Sequence, residues 1–441
     1  MPRIRAVALA ALVVVVGCTE SGGWAGTEEV LANGGRVVRN PAEGEWVRVG
    51  GSGWGLVEDL RVGRLEGGGA AEFGRIVGLA VDGAGRLWVV EGQSQEVRVF
   101  DERGRHVRTV GGQGEGPGEF RSVGGLAWDG RGDLWVQDSR NGRYTRYDTA
   151  GTLKETRPRS TAAPPFGLWQ GGIRDDGWLY DQDMLAADGT SGAAGPSVPP
   201  LLAAAGIASE GRAILRAMFD TGLVPSAALP GAGVAGGEGG ASGRSRTAGG
   251  ITVPLPAQRT NLEPFRVEYT GARGRGMQFL GVPYAPRLHQ VFDPRGYLWF
   301  AESDEYRIHQ RRLEGDTLLI IERAYDRLAV TVAEIDEWES GLGSFREAGG
   351  RIDRSRIPTE KPVFDQLIVD DRGHVWVRLV ADGAEVVFDV FDPDGRYQGE
   401  VTAHPGLGQV PAPVIRGDRF YAVLLDSLDV PWVVRYRIAG R

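Results

Sequence analysis

Apolar and polar residues alternate along most of this chain in runs of five or six, the period of half-buried β-strands. From Trp46 onward the pattern is almost continuous, and residues 76–81, 87–91, 96–100 and 105–110 read as four successive strands. Short Asp-x-x-Gly turns join such runs: Asp82 to Gly85, Asp101 to Gly104, Asp129 to Gly132, Asp148 to Gly151, Asp293 to Gly296, Asp370 to Gly373 and Asp392 to Gly395. Aspartate in the first position accepts a local backbone hydrogen bond, and glycine in the fourth tolerates a left-handed backbone; Pro294 and Pro393 pre-set φ at the second. Turns of this kind between alternating strands predict an all-β fold.

The pattern also repeats. Two stretches of about fifty residues superimpose without a gap at an offset of 47, with Phe73 on Phe120, Asp82 on Asp129, Leu87-Trp88-Val89 on Leu134-Trp135-Val136, and Asp101 on Asp148. Further copies of the second strand stand at Trp178-Leu179-Tyr180, Leu298-Trp299-Phe300 and Val375-Trp376-Val377, with a weaker one at Phe420-Tyr421-Ala422. A period in the forties with four strands per copy is the mark of propeller blades. The long interval from Tyr180 to Trp299 leaves room for one degraded blade, with 213–219 as a strand in it, so the fold class expected is an all-β propeller of six blades, with seven as the alternative.

Two insertions interrupt the repeat. Residues 184–264 are rich in Gly, Ala, Ser and Pro around the degraded blade, and 231–250 in particular lacks the apolar residues that could offset ordering entropy. Residues 329–361 differ, because Thr331-Val332-Ala333-Glu334 is a capping box and Ile335, Trp338, Leu342 and Phe345 follow at helical spacing. A helix lying over the toroid is expected there.

At Gly114-Glu115-Gly116-Pro117-Gly118-Glu119-Phe120 the chain resembles the NHL-repeat type of six-bladed β-propeller, in which a Gly-Pro-Gly-x-Phe segment leads into a new inner strand. Residues 67–73 are a weaker copy, and Leu-Trp-Val-x-Asp/Glu at 87–91 and 134–138 is similar to that family's second strand. The resemblance covers about 70–180 well and 284–400 moderately. It implies a fold and a repertoire of ligand or protein binding, and no single reaction.

The N-terminus has a different character. Arg3 and Arg5 precede an apolar run at 6–16, too short for a bilayer of about 30 Å, which takes roughly 20 residues; it reads as a signal-peptide core. Val15-Val16-Gly17-Cys18 resembles the lipobox of bacterial lipoproteins, which makes 1–17 the signal peptide and Cys18 the lipid attachment site. Residues 18–45, Gly-rich and polar with little periodicity, read as a flexible tether and 46–441 as the propeller. Cys18 is the only cysteine in the 441 residues, so neither a disulfide framework nor a cysteine metal site is available. Without 1–17 the 50 basic residues fall to 48 against 58 acidic, a net charge of −10. That balance is unsuited to nucleic acid, which wants clustered positive charge.

Few residues are left to carry chemistry. Glu91, Asp138, Asp183 and Glu302 end the second strands and could form an acidic ring, but the strand that follows three of them at the same spacing favours turn capping. Of the five histidines, His374 and His106 belong to turns, His404 precedes Pro405, and His309 is expected to face solvent. Only His289 falls on an inner strand, where earlier blades carry Gly78 and Gly125, and it is the candidate channel-facing binding residue. One histidine does not make a three-ligand zinc site, and no set of channel carboxylates for calcium emerges. No catalytic residue, metal ligand or cofactor is therefore expected. Trp88, Trp135, Trp299 and Trp376 read as packing between blades. The function expected is a lipid-anchored envelope scaffold that binds a small molecule or protein and uses the membrane as its other partner; the alternative is a metal-dependent propeller hydrolase or lyase acting in the central channel.

Overall fold

The computed structural model describes residues 24–65, 67–159, 161, 169, 171, 172–185, 212–221, 252–271, 274–313, 315–383 and 385–441. Cys18, the signal segment and the 231–250 stretch lie outside the described residues.

Six four-stranded antiparallel units form the ring. Blade one consists of Ile76–Val81, Leu87–Glu91, Glu96–Phe100 and His106–Gly111, and blade two of Val123–Trp128, Leu134–Asp138, Arg143–Tyr147 and Leu153–Pro158. Blade three is built from Gly172–Ile173, Trp178–Leu185, Arg212–Asp220 and Thr252–Pro254; the strand expected near 213–219 is the third strand of the blade that holds Trp178, and among the described residues no separate degraded blade stands between it and blade four. Blades four (Leu288–Asp293, Tyr297–Glu302, Arg307–Arg312, Thr317–Arg323) and five (Phe364–Val369, Val375–Leu379, Val386–Phe391, Tyr397–Ala403) follow. Blade six takes Val414–Arg416, Arg419–Leu425 and Pro431–Ala439 from the C-terminal end of the chain and its outer strand, Gly55–Val62, from the N-terminal part, with Val62 opposite Val433. This splice closes the ring.

Why these residues make blades is visible in the turns. All seven Asp-x-x-Gly glycines have positive φ, between 75° and 94°. In blade one, Asp82 Oδ1 accepts from the N–H of Ala84 and Arg86 while its Oδ2 accepts the indole N–H of Trp88 at 3.1 Å. The same bond recurs from Trp135 to Asp129, Trp299 to Asp293 and Trp376 to Asp370. The aspartate therefore sets the turn and also satisfies the one polar atom of a tryptophan that is otherwise fully buried. A further copy, unread in the sequence, joins the second and third strands of blade six: Asp426 takes the Trp432 indole at 3.0 Å, with Asp429 at φ 59° in place of glycine.

Each junction between neighbouring blades holds its own apolar cluster. Trp88, Val97, Phe120 and Val136 fill the space between blades one and two, and Trp135, Tyr144, Ile173 and Leu179 that between two and three. Tyr180 and Leu298 join three to four, Trp299 and Phe364 four to five, Trp376 and Phe420 five to six, and Val62, Phe73 and Tyr421 six to one. Burying side chains of this size stabilises by roughly 1.5–3 kcal/mol each.

The stretch expected to be a tether is largely structured. Thr27–Val30 and Arg36–Asn40 pair as strands, and the second lies parallel to Thr317–Arg323, extending blade four to six strands. The Asn40 side chain donates to Glu322 O and Gly395 O and accepts from the Tyr397 N–H, tying blades four and five together. Gly44 and the short helix Glu45–Arg48 then pass over the outer strand of blade five before the chain enters blade six. Residues 24–62 thus form a belt on the rim. The belt escaped sequence reading because its strands are short and their partners lie far along the chain.

Candidate binding face

The chain links blade to blade along one face of the ring, and this face carries what the repeat does not explain. Between blades three and four, Phe265–Gly271 and Gly274–Leu280 form a two-stranded hairpin outside any blade. Between blades four and five stand the helix Val332–Ser340, a short helix Gly343–Glu347 and a turn of 3-10 helix, Arg354–Arg356. The capping box forms as expected, with Thr331 Oγ1 accepting from the Glu334 N–H and Glu334 accepting from that of Thr331. Hairpin and helices pack into one body around Phe265, Val267, Leu342, Phe345 and Ile357, and the rings of Phe265 and Trp338 lie 6.3 Å apart. The Arg356 guanidinium sits 4.6 Å over Phe265 and donates to Glu263 O. Lys361, bonded to Glu334 at 2.6 Å and to Asp382 at 2.7 Å, fastens the helix to blade five. An isolated hairpin is marginal in water, and here the helices supply its missing layer. The result is a roof beside blades four and five.

In the same two blades, His289 lies on the inner strand of blade four, its ring centroid 5.3 Å from that of Phe364 on the inner strand of blade five. Burial, with the nearby Arg287 charge, lowers its pKa to about 4, so the imidazole is neutral at pH 7. Position 289 matches Gly78, where an added Cβ would meet Val90 and reach toward Leu126 of the next blade. His289 is accordingly half-buried and turned toward blade five.

Blade five departs from the repeat at the neighbouring positions. Its inner strand bulges between Phe364 and Gln366, as blades one and two do between Ile76 and Gly78 and between Val123 and Gly125. The bulged residue is Val77 in blade one, Gly124 in blade two and Asp365 in blade five. Asp365 accepts from Gln409 Nε2, Gln366 donates to Gln409 O at 2.8 Å, and Arg378 Nε stands 3.5 Å from Asp365. Burial raises the Asp365 pKa against the pull of Arg378. This face therefore offers a neutral imidazole, a carboxylate, a guanidinium and two amides. No spacing motif marks residues 365, 378 and 409; comparison of blade five with blade one at matched positions is the signal that would have found them.

The carboxylates that end the second strands are structural clamps. Glu91 accepts the N–H groups of Gln93 and Ser94 in its own turn and that of Arg75 in the segment entering the blade. Asp138 does the same with Asn141, Arg121 and Ser122, and Glu302 with Arg259 and Thr260. Burial works to raise Glu91, but its backbone and Ser94 hydrogen bonds outweigh it and hold the pKa below the usual carboxylate range. Asp183 pairs with Arg216 at 3.1 Å. The expectation for His309 is corrected: its ring stacks on Phe300 at 4.9 Å and 7°, and burial lowers its pKa to about 4. An aromatic neighbour across the strand pair covers it. His374 faces Asp370, the Arg441 guanidinium and Trp54. Trp88, Trp135, Trp299 and Trp376 are at most 1% exposed and present no surface to a ligand. Among the described residues no group of three or more His, Cys, Asp or Glu side chains is placed to hold a metal ion.

Residues 59–163 match a family model, DUF5128, described as a 6-bladed beta-propeller. No curated protein matches the chain. Similar solved structures include an exported protein from Bacteroides fragilis (10% identity, TM-score 0.42, covering 92% of this chain and 100% of that one). A catalytically inactive virginiamycin B lyase from Staphylococcus aureus, solved with quinupristin, has 10% identity and a TM-score of 0.39 over 87% and 99%. Regucalcin from Agrobacterium tumefaciens, a calcium-binding protein, has 11% identity and a TM-score of 0.36 over 88% and 97%. With its ring of six four-stranded units, this chain is a six-bladed β-propeller.

Proposed function

We propose that this protein is a lipid-anchored propeller of the cell envelope that works as a binding scaffold, with its recognition surface on the roofed face over blades four and five. One observation carries the reading: the hairpin and the helical insertion arise between different blades, yet they pack on one another on a single face, with Phe345 only 1% exposed. Ring stability asks for neither insertion, since each blade junction already has its own core. Structure added to a repeat on one face is where such scaffolds build binding surfaces. The polar residues of these two blades, His289, Asp365 and Arg378, suit hydrogen bonding to a ligand that enters beside the roof. The envelope location rests on the lipobox at Cys18.

Two measurements test this. The propeller, immobilised, should retain a specific partner or small molecule from envelope extract, and a variant with residues 331–358 replaced by a short Gly/Ser linker should lose it. Equal retention by both would remove the roof from the reading. Cys18→Ser should abolish lipid labelling and release the protein from membranes; unchanged retention would sink the anchor.

A further inference from the structure

The belt shortens the distance between anchor and fold. Trp24 is already part of the rim: its indole donates to Asn40 Oδ1 at 3.1 Å, the Arg396 guanidinium lies 5.4 Å from its ring, and it packs against the cluster between blades four and five. Only six residue steps separate Cys18 from Trp24, and six residues span at most about 20 Å however they are arranged. A tether running to residue 45 would have reached roughly 90 Å.

The rim at this point has a distinct surface. Val30, Val47 and Val49 on the belt are 64%, 66% and 61% exposed. Its charges are offset by one another: Arg36 and Arg396 pair with Glu28, Arg39 with Glu29 and Glu322, and Arg36 also with Asp394. A surface with protruding aliphatic groups and internally paired charge neither repels anionic headgroups nor depends on them.

Resting on the lipid-anchor reading, we infer that the rim of blades four and five lies against the bilayer surface, so that the ring stands on edge at the membrane. The channel axis then runs along the membrane plane, and the roofed face stays open to partners approaching from the side. The occupant of this rim, with its three exposed valines, is the headgroup layer.

The test uses the full lipidated chain in liposomes of phosphatidylethanolamine and phosphatidylglycerol doped with a nickel-chelating lipid. Lipidation consumes the Cys18 sulfur as a thioether, so a single introduced cysteine is the only thiol for a nitroxide label. Val30→Cys and Val47→Cys report on the inferred contact. Val107→Cys and Leu153→Cys, on exposed outer strands of blades one and two, report on the opposite rim. Nickel-induced relaxation is expected to be several-fold greater at 30 and 47 than at 107 and 153. Equal enhancement at all four positions, or greater enhancement at 107 and 153, overturns the edge-on arrangement while lipid labelling and membrane retention leave the anchor intact. Absence of lipid label removes the anchor and this inference with it. Insertion of twenty Gly/Ser residues between Gly22 and Gly23 should preserve labelling and retention but shrink the difference between rims; an undiminished difference would show that the short leash does not orient the ring.

Discussion

Two blade junctions of the same ring are built on different principles. Between blades one and two an apolar cluster, with Trp88, Val90, Val97, Val99, Phe120 and Val136 among its members, is joined by a neutral amide, Gln95, whose side chain accepts the Val123 N–H at 3.0 Å. Between blades four and five a comparable apolar cluster surrounds a buried carboxylate. Asp389, fully buried, accepts from Tyr306 at 2.6 Å and Tyr397 at 2.8 Å and pairs with Arg323, whose guanidinium lies 4.1 Å from the Tyr397 ring. Burial raises the Asp389 pKa against these partners. Asp181, bonded to Gln137, Tyr144 and Arg159, repeats the arrangement between blades two and three. Apolar surface binds any blade that fits, whereas Asp389 is satisfied only when Tyr306 and Arg323 of blade four are its neighbours. In a ring of similar units such a cluster selects the neighbour as well as holding it.

The sharpest way to break the contrast is to remove one member from each junction. Trp88→Ala should cost about 3–5 kcal/mol in chemical denaturation through the cavity it leaves. Asp389→Ala should cost a similar ~3–5 kcal/mol because it strands the Arg323 cation. The second loss should be largely recovered in the double variant Asp389→Leu with Arg323→Met, since an apolar replacement leaves no buried charge; a double variant as unstable as the single would show that the cluster is not electrostatically defined.

A smaller difference should appear with pH. His289 titrates near 4 in the fold and near 6.5 when unfolded. Between these values the unfolded chain takes up a proton that the native chain refuses, so stability falls as pH drops from about 6.5 to 4, by on the order of 2 kcal/mol. His309, lowered to about 4 as well, adds a similar fall, so His289→Gln, which installs the residue found at the matching position 366, should remove about half of that slope. Trp88→Ala should leave the slope unchanged, because Trp88 packs between blades one and two while His289 faces blade five. A profile with the same slope in His289→Gln and the parent would remove His289 as the source. The smallest effect belongs to the clamps: Glu91→Gln keeps the shape but removes the charge and puts an NH2 donor where one oxygen accepts, leaving at least one of three backbone N–H groups without its acceptor, a loss of about 1–2 kcal/mol, read as faster hydrogen exchange at Arg75, Gln93 and Ser94.

What could be read in the chain follows the range of the interactions. The Asp-x-x-Gly turns, the packing tryptophans and the capping box at Thr331 act within six residues, and each stands where the local pattern put it. The indole bond to the turn aspartate is equally local, and its constant spacing of six was available in the sequence. The turn at Asp426 was hidden because Asp429 takes the conformation usually left to glycine. The Arg323–Asp389 pair, the strand Gly55–Val62 in blade six and the belt on blade four join residues tens to hundreds of positions apart, and no pattern within either partner announces the other. The candidate face was legible only as the region where the repeat fails: His289 stood out against glycine, but Asp365 and Arg378 needed the blades laid over one another in space.

The strand Gly55–Val62 also sets an order of events. Its partner, Pro431–Ala439, is made about 370 residues later, and bringing such distant ends together costs roughly 5 kcal/mol of chain entropy. As the chain emerges from its N-terminus, Gly55–Val62 must wait as an unpaired edge, as must Arg36–Asn40 until blade four arrives. Blades one and two need no distant strand and complete themselves in passing. The ring, by contrast, stays open until the last nine-residue strand is delivered, so a chain halted just short of it exposes two aggregation-prone edges at once.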